Sequence, residues 1–342
     1  MKHRNLLAIC LAGFGLGFPC FASANGEVNI YSARKEALIK PLLERFSAQT
    51  GIRAHLLTAK AGPLLERLKS EGRNSPADLM ITVDAGRLHQ AKAAGVLQAV
   101  RSKALESGVP EAYRDPEGYW YGLSLRARPV MYVRGRVEPG ALSTYEDLAD
   151  PKWRGRICIR SSSNIYNQSL AASMIAVNGK QATLDWMKGL VANFARKPKG
   201  GDRDQIRAAA AGECDIAIAN TYYLARMRTA DPGSADRVAA DRIEVFWPNQ
   251  GGRGAHVNVS GAGVTSAAPH RDNAIRLLEF LVADEAQAWY AEVNNEYPVK
   301  PGVPWSEAVS DMGTFEADSV NLAVLGENNA TAVRLMDQAG WR

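Results

Sequence analysis

The hydrophobic positions of this chain change period repeatedly. Short apolar runs at residues 27–31, 52–57 and 77–82 alternate with stretches in which apolar residues recur every three or four positions. The first pattern predicts buried strands and the second amphipathic helices. Leu38, Leu42, Leu43 and Phe46 mark one helix, which Gly51 closes. Leu64, Leu65 and Leu68 mark another after Gly62, and Asp84 opens a third. Strands alternating with helices predict an α/β lobe around a largely parallel sheet.

Residues 118–126 lead into 129–133 and read as a crossing into a second lobe. There the pattern predicts a helix start at 144–148, a turn at 151–155 and a strand at 156–160. A helix follows from Tyr166 to about residue 177, with Leu170, Met174 and Val177 inward and Gly179 at its end. Another helix covers 181–194, a further one carries Ile206, and strands are expected at 214–219 and 243–247. Residues 251–254 are a loop, and residues 256–261 read as the return crossing. The helix at 271–281 and the segment with Trp289 and Tyr290 belong to the first lobe. Final helices are expected near Phe315 and Leu335. The domain expectation is a leader at 1–24, a discontinuous first lobe at 25–128 plus 253–303, and a second lobe at 129–252 plus 304–342.

The leader changes the picture of compartment. Lys2, His3 and Arg4 precede an apolar run broken by glycines, and Ala22-Ser23-Ala24 has the small-residue form of a cleavage site. This reads as a secretory signal, with the mature chain expected to start at Asn25 and to be exported to an oxidising compartment. Loss of Lys2 and Arg4 with the leader brings 41 basic residues to 39 against 36 acidic, a charge near +3. No dense Lys/Arg run gives the focused basic surface that nucleic acid requires. Of the cysteines, Cys158 and Cys214 remain, and export makes a disulfide between them available; two buried thiols are the alternative.

Candidate chemistry centres on tyrosine. Tyr222 and Tyr223 stand between the run at 214–219 and a helical pattern starting at Leu224. Asn220 or Thr221 suits the cap position, which places both phenols in the first turn. Tyr166 has the same layout, after a strand and the polar turn Ser161-Ser162-Ser163-Asn164. Both junctions fall at carboxyl ends of strands, where α/β sheets bind ligands, and at helix N-termini, which favour anions. Three phenolates in one cleft would suit a hard cation, above all Fe3+. Phenol ionises near ~10, so such binding would release protons. Zinc would call for His and Cys, and His55, His89, His256 and His270 show no paired spacing. The residues alone leave open that the tyrosines are ordinary core and surface aromatics.

Arg34, Arg126 and Arg128 are candidate cleft cations that could hold carbonate beside the metal. Ser161, Ser162 and Ser163 either line that anion site or, the better reading, cap the helix. Asp78, Asp84 and Glu36 are candidate carboxylate ligands, Asp84 being better suited to capping. No hydrolase elbow, Walker loop, H-E-x-x-H, C-x-x-C or dinucleotide fingerprint occurs. Two other readings remain: a metal-free receptor for a small anion or organic acid, and a secreted metal-dependent enzyme, which lacks a base–nucleophile pair.

The chain resembles the periplasmic ferric-ion-binding proteins of bacterial iron ABC transporters over nearly all its mature length. The matching stretches include Val28-Asn29-Ile30-Tyr31-Ser32-Ala33-Arg34, Gly122-Leu123-Ser124-Leu125-Arg126 and Ile159-Arg160-Ser161-Ser162-Ser163-Asn164-Ile165-Tyr166. They continue with Gly200-Gly201-Asp202-Arg203-Asp204, Asp215-Ile216-Ala217-Ile218-Ala219-Asn220-Thr221-Tyr222-Tyr223 and Asn295-Glu296-Tyr297-Pro298-Val299. The resemblance implies a two-lobed periplasmic binding protein that closes by a hinge. Tyr166, Tyr222 and Tyr223 match the family's tyrosine ligands, and Cys158 and Cys214 match positions of a cysteine pair. Many members add a histidine, and some a second tyrosine, just after the first strand. Lys35 and Glu36 stand there in this chain. The implied site therefore pairs tyrosines with carbonate or solvent, with Arg34, Arg126 and Ser163 as helpers. The implied partners are an inner-membrane ABC permease with its ATPase and ferric iron or a ferric chelate, bound by a monomer that is not an enzyme.

Overall fold

The alternating periods resolve into two sheets, one in each of two lobes. The computed structural model describes residues 26–342, and the expected leader lies outside them. Its strands are β1 (Glu27–Ser32), β2 (Arg53–Thr58), β3 (Leu79–Val83), β4 (Tyr121–Ala127), β5 (Val130–Val133), β6 (Ile157–Cys158), β7 (Ile216–Ile218), β8 (Ile243–Phe246), β9 (Val257–Val264) and β10 (Tyr297–Pro298). One sheet has six strands in the order β10-β4-β9-β3-β1-β2, and the other has four in the order β6-β7-β5-β8.

The six-stranded sheet is mixed rather than largely parallel. β1 runs parallel to β2 and β3, whereas β9 is antiparallel to β3 and β4, and β10 to β4. The cause is the chain path. β4 leaves for the other lobe and β9 returns from it without a crossover helix, so the two meet head to tail. In the smaller sheet β6 and β7 are parallel, and β5 is antiparallel to both its neighbours.

Most predicted helices form on the faces expected. Lys40–Thr50 buries Leu42, Leu43 and Phe46, with Gly51 in the left-handed conformation at its end. Leu38 instead ends the 3-10 turn Glu36–Leu38, because the helix begins only at Lys40 with Pro41 in its first turn. Ile165–Ala192 is two helices broken at Gly179, whose φ of 77° favours glycine. Leu170 and Met174 point inward, but Val177 is 42% exposed, since the last turn before that break projects past the core. The helix start predicted at 144–148 is only the 3-10 turn Glu146–Ala149, stopped by Pro151. No helix forms at Phe315. Its ring stacks on Trp247 at 4.0 Å, which holds that segment irregular, and the helices follow at Ala323–Glu327 and Asn329–Gln338.

Two connections cross between the sheets, at residues 128–129 and 247–256. Tyr145 ties them together: its hydroxyl donates to the Arg128 carbonyl at 2.8 Å and accepts from the His256 amide at 3.0 Å. Among the described residues no helix is long and apolar enough to cross a membrane.

Cys158 and Cys214 form a disulfide with their Cα atoms 5.9 Å apart, closing a separation of 56 residues. In the chain-entropy account a loop of that size is worth about 4 kcal/mol. The double variant Cys158→Ser/Cys214→Ser is therefore expected to lose about that much in chemical denaturation. An unchanged midpoint would show that the bridge contributes nothing to stability.

Candidate metal centre

The parallel pairing of β6 and β7 builds the site. Parallel neighbours end on the same edge of a sheet, so the chain leaves both strands side by side and turns into a helix each time. Tyr166 is the second residue of the helix Ile165–Ala192, and Tyr222 and Tyr223 are the second and third of Thr221–Arg228. The three phenols converge. Tyr222 Oη donates to Tyr166 Oη at 3.3 Å, and the rings of Tyr222 and Tyr223 lie 4.2 Å apart. They form one wall of a cavity of about 380 Å³, with Arg34, Lys35 and Arg126 opposite.

Burial governs the ionisation of Tyr222 and Tyr223. It pushes Tyr222 well above the ordinary phenol range, and the neighbouring Tyr166 and Tyr223 add to the shift. Tyr223 is pushed up to about 12, by burial first and then by Tyr166 and Asp202. Burial thus opposes phenolate formation at Tyr222 and Tyr223, and a cation set among the three oxygens would reverse that balance. Among the described residues no group of three or more His, Cys, Asp and Glu side chains could hold a metal ion. Apart from Glu296, which is paired with Arg34, the side-chain oxygens that line this cavity belong to the three tyrosines.

Arg34 and Arg126 line the cavity. Burial disfavours the charge of Arg34, and Glu296 more than offsets that through an ion pair of 3.0 Å. Arg126 donates to Ser260 Oγ at 2.9 Å and lies 5.4 Å from the Tyr166 ring centre. Arg128 does not line the cavity; it is buried behind the tyrosines and paired with Asp202 at 2.8 Å.

Ser163 is exposed and contacts Ser161 Oγ at 2.6 Å, away from the cavity lining. The serines do not cap the helix either: Asn164 does, accepting from the Tyr166 amide at 3.1 Å. Asn220 occupies the other cap position, but its side chain accepts from Arg128 instead of a helix amide.

The three carboxylate candidates are all engaged elsewhere. Asp84 caps Ala85–Ala93 through the Gly86 amide. It also accepts from Ser169 Oγ at 2.7 Å and Asn258 Nδ2 at 2.9 Å, joining the two lobes. Burial pushes its carboxyl up, opposed by Arg126. Asp78 accepts from the Asn29 and His270 amides, and Glu36 pairs with Lys40 on the surface.

Residue-type reasoning missed Arg203, Arg226 and Glu296, which also line the cavity. Arg226 carried a signal: it lies four positions after Tyr222, so it returns to the same helix face, with its guanidinium 5.4 Å from that ring. Arg203 and Glu296 carried one only as members of the family-like stretches.

Residues 74–317 match the family model described as "Bacterial extracellular solute-binding protein". The chain belongs to this family. Within it, the chain is 50% identical to iron uptake protein A1 of Synechocystis over 317 residues, 92% of this chain and 88% of that protein. Among solved structures it is similar to FutA (IdiA) of Trichodesmium in complex with iron and citrate ligands. That match has a TM-score of 0.90 and 50% identity, and covers 93% of this chain and all of the other. It is also similar to ferric iron-binding protein A of Mannheimia haemolytica in an open conformation. There the TM-score is 0.87 and the identity 39%, with 92% of this chain and 99% of the other covered. The two-lobed architecture is thus a family property, and the relatives are named for uptake and binding rather than for catalysis.

Proposed function

We propose that this protein is a periplasmic solute-binding protein that captures ferric iron through Tyr166, Tyr222 and Tyr223 and delivers it to an inner-membrane ABC permease with its ATPase. The observation that carries this reading is the convergence of three phenols at the carboxyl ends of two parallel strands. The iron-uptake names of the relatives support it. Export by the N-terminal leader and action as a monomer belong to the same reading. So does a division into lobes at 25–128 plus 253–303 and 129–252 plus 304–342.

Three phenolates leave ferric coordination incomplete. Arg34 and Arg126 face the phenols and would hold carbonate or a related small carboxylate at the remaining positions. The tyrosines all come from the four-stranded lobe. Iron therefore meets that lobe first, and hinge closure brings Arg34 and Arg126 over it. An open, iron-loaded crystal form with the metal on residues of the six-stranded lobe alone would contradict this order.

The competing reading from the cleft cations, a metal-free receptor for a small anion, has no support among the iron-uptake relatives. Loading with ferric citrate separates the two. A visible phenolate-to-iron charge-transfer band, strengthened by bicarbonate, is expected. A protein that stays colourless after loading would favour the anion receptor.

A further inference from the structure

Arg128 lies outside the cleft, yet its guanidinium touches both tyrosine-bearing junctions. β5 pairs antiparallel with β7, with Val130 opposite Ile218. The same register carried two residues further sets Arg128 against Asn220, just ahead of the helix of Tyr222 and Tyr223. There Arg128 Nη1 donates to Asn220 Oδ1 at 3.0 Å, and Nη2 donates to the Ile218 carbonyl at 3.2 Å. Nη2 also donates to Asn167 Oδ1 at 2.7 Å. Asn167 follows Tyr166 directly, and its Nδ2 donates to the Arg160 carbonyl at 2.7 Å.

Asp202 anchors the arrangement. One carboxylate oxygen accepts from Arg128 at 2.8 Å and the other from Arg160 at 2.9 Å, with Asp202 fully buried. The two guanidiniums stand 6.0 and 5.9 Å from the ring centre of Tyr166. A buried ionic group of this kind is no better for stability than apolar packing, and its best-attested use is to fix a geometry. The fork shape of arginine matters here, because one planar group reaches two separate segments.

We infer that Arg128 is a positioning residue that clamps the two ligand-bearing helix starts at a fixed separation, with Asp202 as its anchor. The inference rests on the proposed reading of the tyrosines as ferric ligands. The clamp holds Tyr166 and Tyr222 in their 3.3 Å contact before any metal arrives. It is rooted in the crossing between the lobes: the Arg128 amide donates to the His256 carbonyl at 3.0 Å, and its carbonyl accepts from Tyr145.

Two variants test it. Arg128→Lys keeps the charge and removes the fork. Asn167→Ala leaves the ion pair with Asp202 intact and cuts the arm to Tyr166, together with the Asn167 Nδ2 bonds to the Arg160 and Ser161 carbonyls. Both are read by ferric citrate titration with the visible spectrum, by a crystal structure without iron and by Tm. Arg128→Lys is expected to lose about 10–100-fold in iron affinity, the usual effect of groups that orient metal ligands. The charge-transfer band shifts, and the contact between the two tyrosine hydroxyls opens in the iron-free crystal. Asn167→Ala shifts the band the same way with a smaller loss.

Wild-type band, affinity and hydroxyl contact in both variants would overturn the clamp and leave the ligand reading intact. A lower Tm with an unmoved band would make Arg128 merely structural and overturn it equally. Should Arg128→Lys fail to fold, Asn167→Ala decides by the same criteria. A wild-type protein without any band would instead sink the ligand reading, and the clamp with it.

Discussion

Tyr223→Phe is expected to abolish the visible iron band and to lower ferric affinity by more than about 100-fold, beyond the range seen for groups that merely orient a ligand. The substitution removes one oxygen and keeps the ring, so the packing against Tyr222, with ring centres 4.2 Å apart, survives. What changes is charge. A trivalent cation left with two phenolates lies in a cleft whose other charged lining is Arg34, Lys35, Arg126, Arg203 and Arg226 against the carboxylate of Glu296, itself paired with Arg34. Citrate in solution then competes successfully for it. Lys35→Ala is the matched control. Lys35 is exposed and stands opposite the tyrosines, so its loss is expected to weaken loading little. Titration of both variants with ferric citrate, followed by the visible spectrum, checks the pair. Full colour in Tyr223→Phe would remove it from the ligand set.

How much of this was legible in the sequence depends on distance along the chain. The tyrosine junctions were, because each is a local device: an apolar run, a polar turn and a helical pattern within about a dozen residues. Their convergence needed only that both runs pair in parallel within one sheet. The antiparallel course of β9 was not legible. It depends on where a strand returns after an excursion of more than a hundred residues, and a buried strand reads alike in either direction. The capping serines misled for a related reason. Ser161, Ser162, Ser163 and Asn164 all satisfy the local preference, and only the helix's true start at Ile165 selects Asn164. The role of Arg128 depends on Asp202, Asn167 and Asn220 at once. No spacing within one segment announces such a residue; the sequence marks it only as a cation near a crossing. Phe315 shows the limit for helices. Its neighbourhood permits one, and stacking on Trp247 overrides it.

Iron loading is expected to weaken by at least about 100-fold for each pH unit the solution is acidified, through proton release from Tyr222 and Tyr223. The sign follows from where each phenol titrates. Without metal, burial holds Tyr222 well above the ordinary range and Tyr223 up to about 12. Both are therefore protonated between about pH 5 and 8. With Fe3+ bound they are ionised, so each gives up one proton. A binding step that releases a proton changes its constant about tenfold per pH unit, and two such protons compound to the figure above. Affinity rises with pH and falls with acid throughout this window, and the slope flattens only as the free phenols begin to titrate, near 12 for Tyr223. Two measurements check the count. Competition against a ferric chelator at two pH values, corrected for proton uptake by the chelator, gives the slope. Calorimetry in buffers of different ionisation enthalpy gives the protons directly. Release of fewer than two protons would mean that one of the two phenols stays protonated beside the metal, and that oxygen would leave the ligand set.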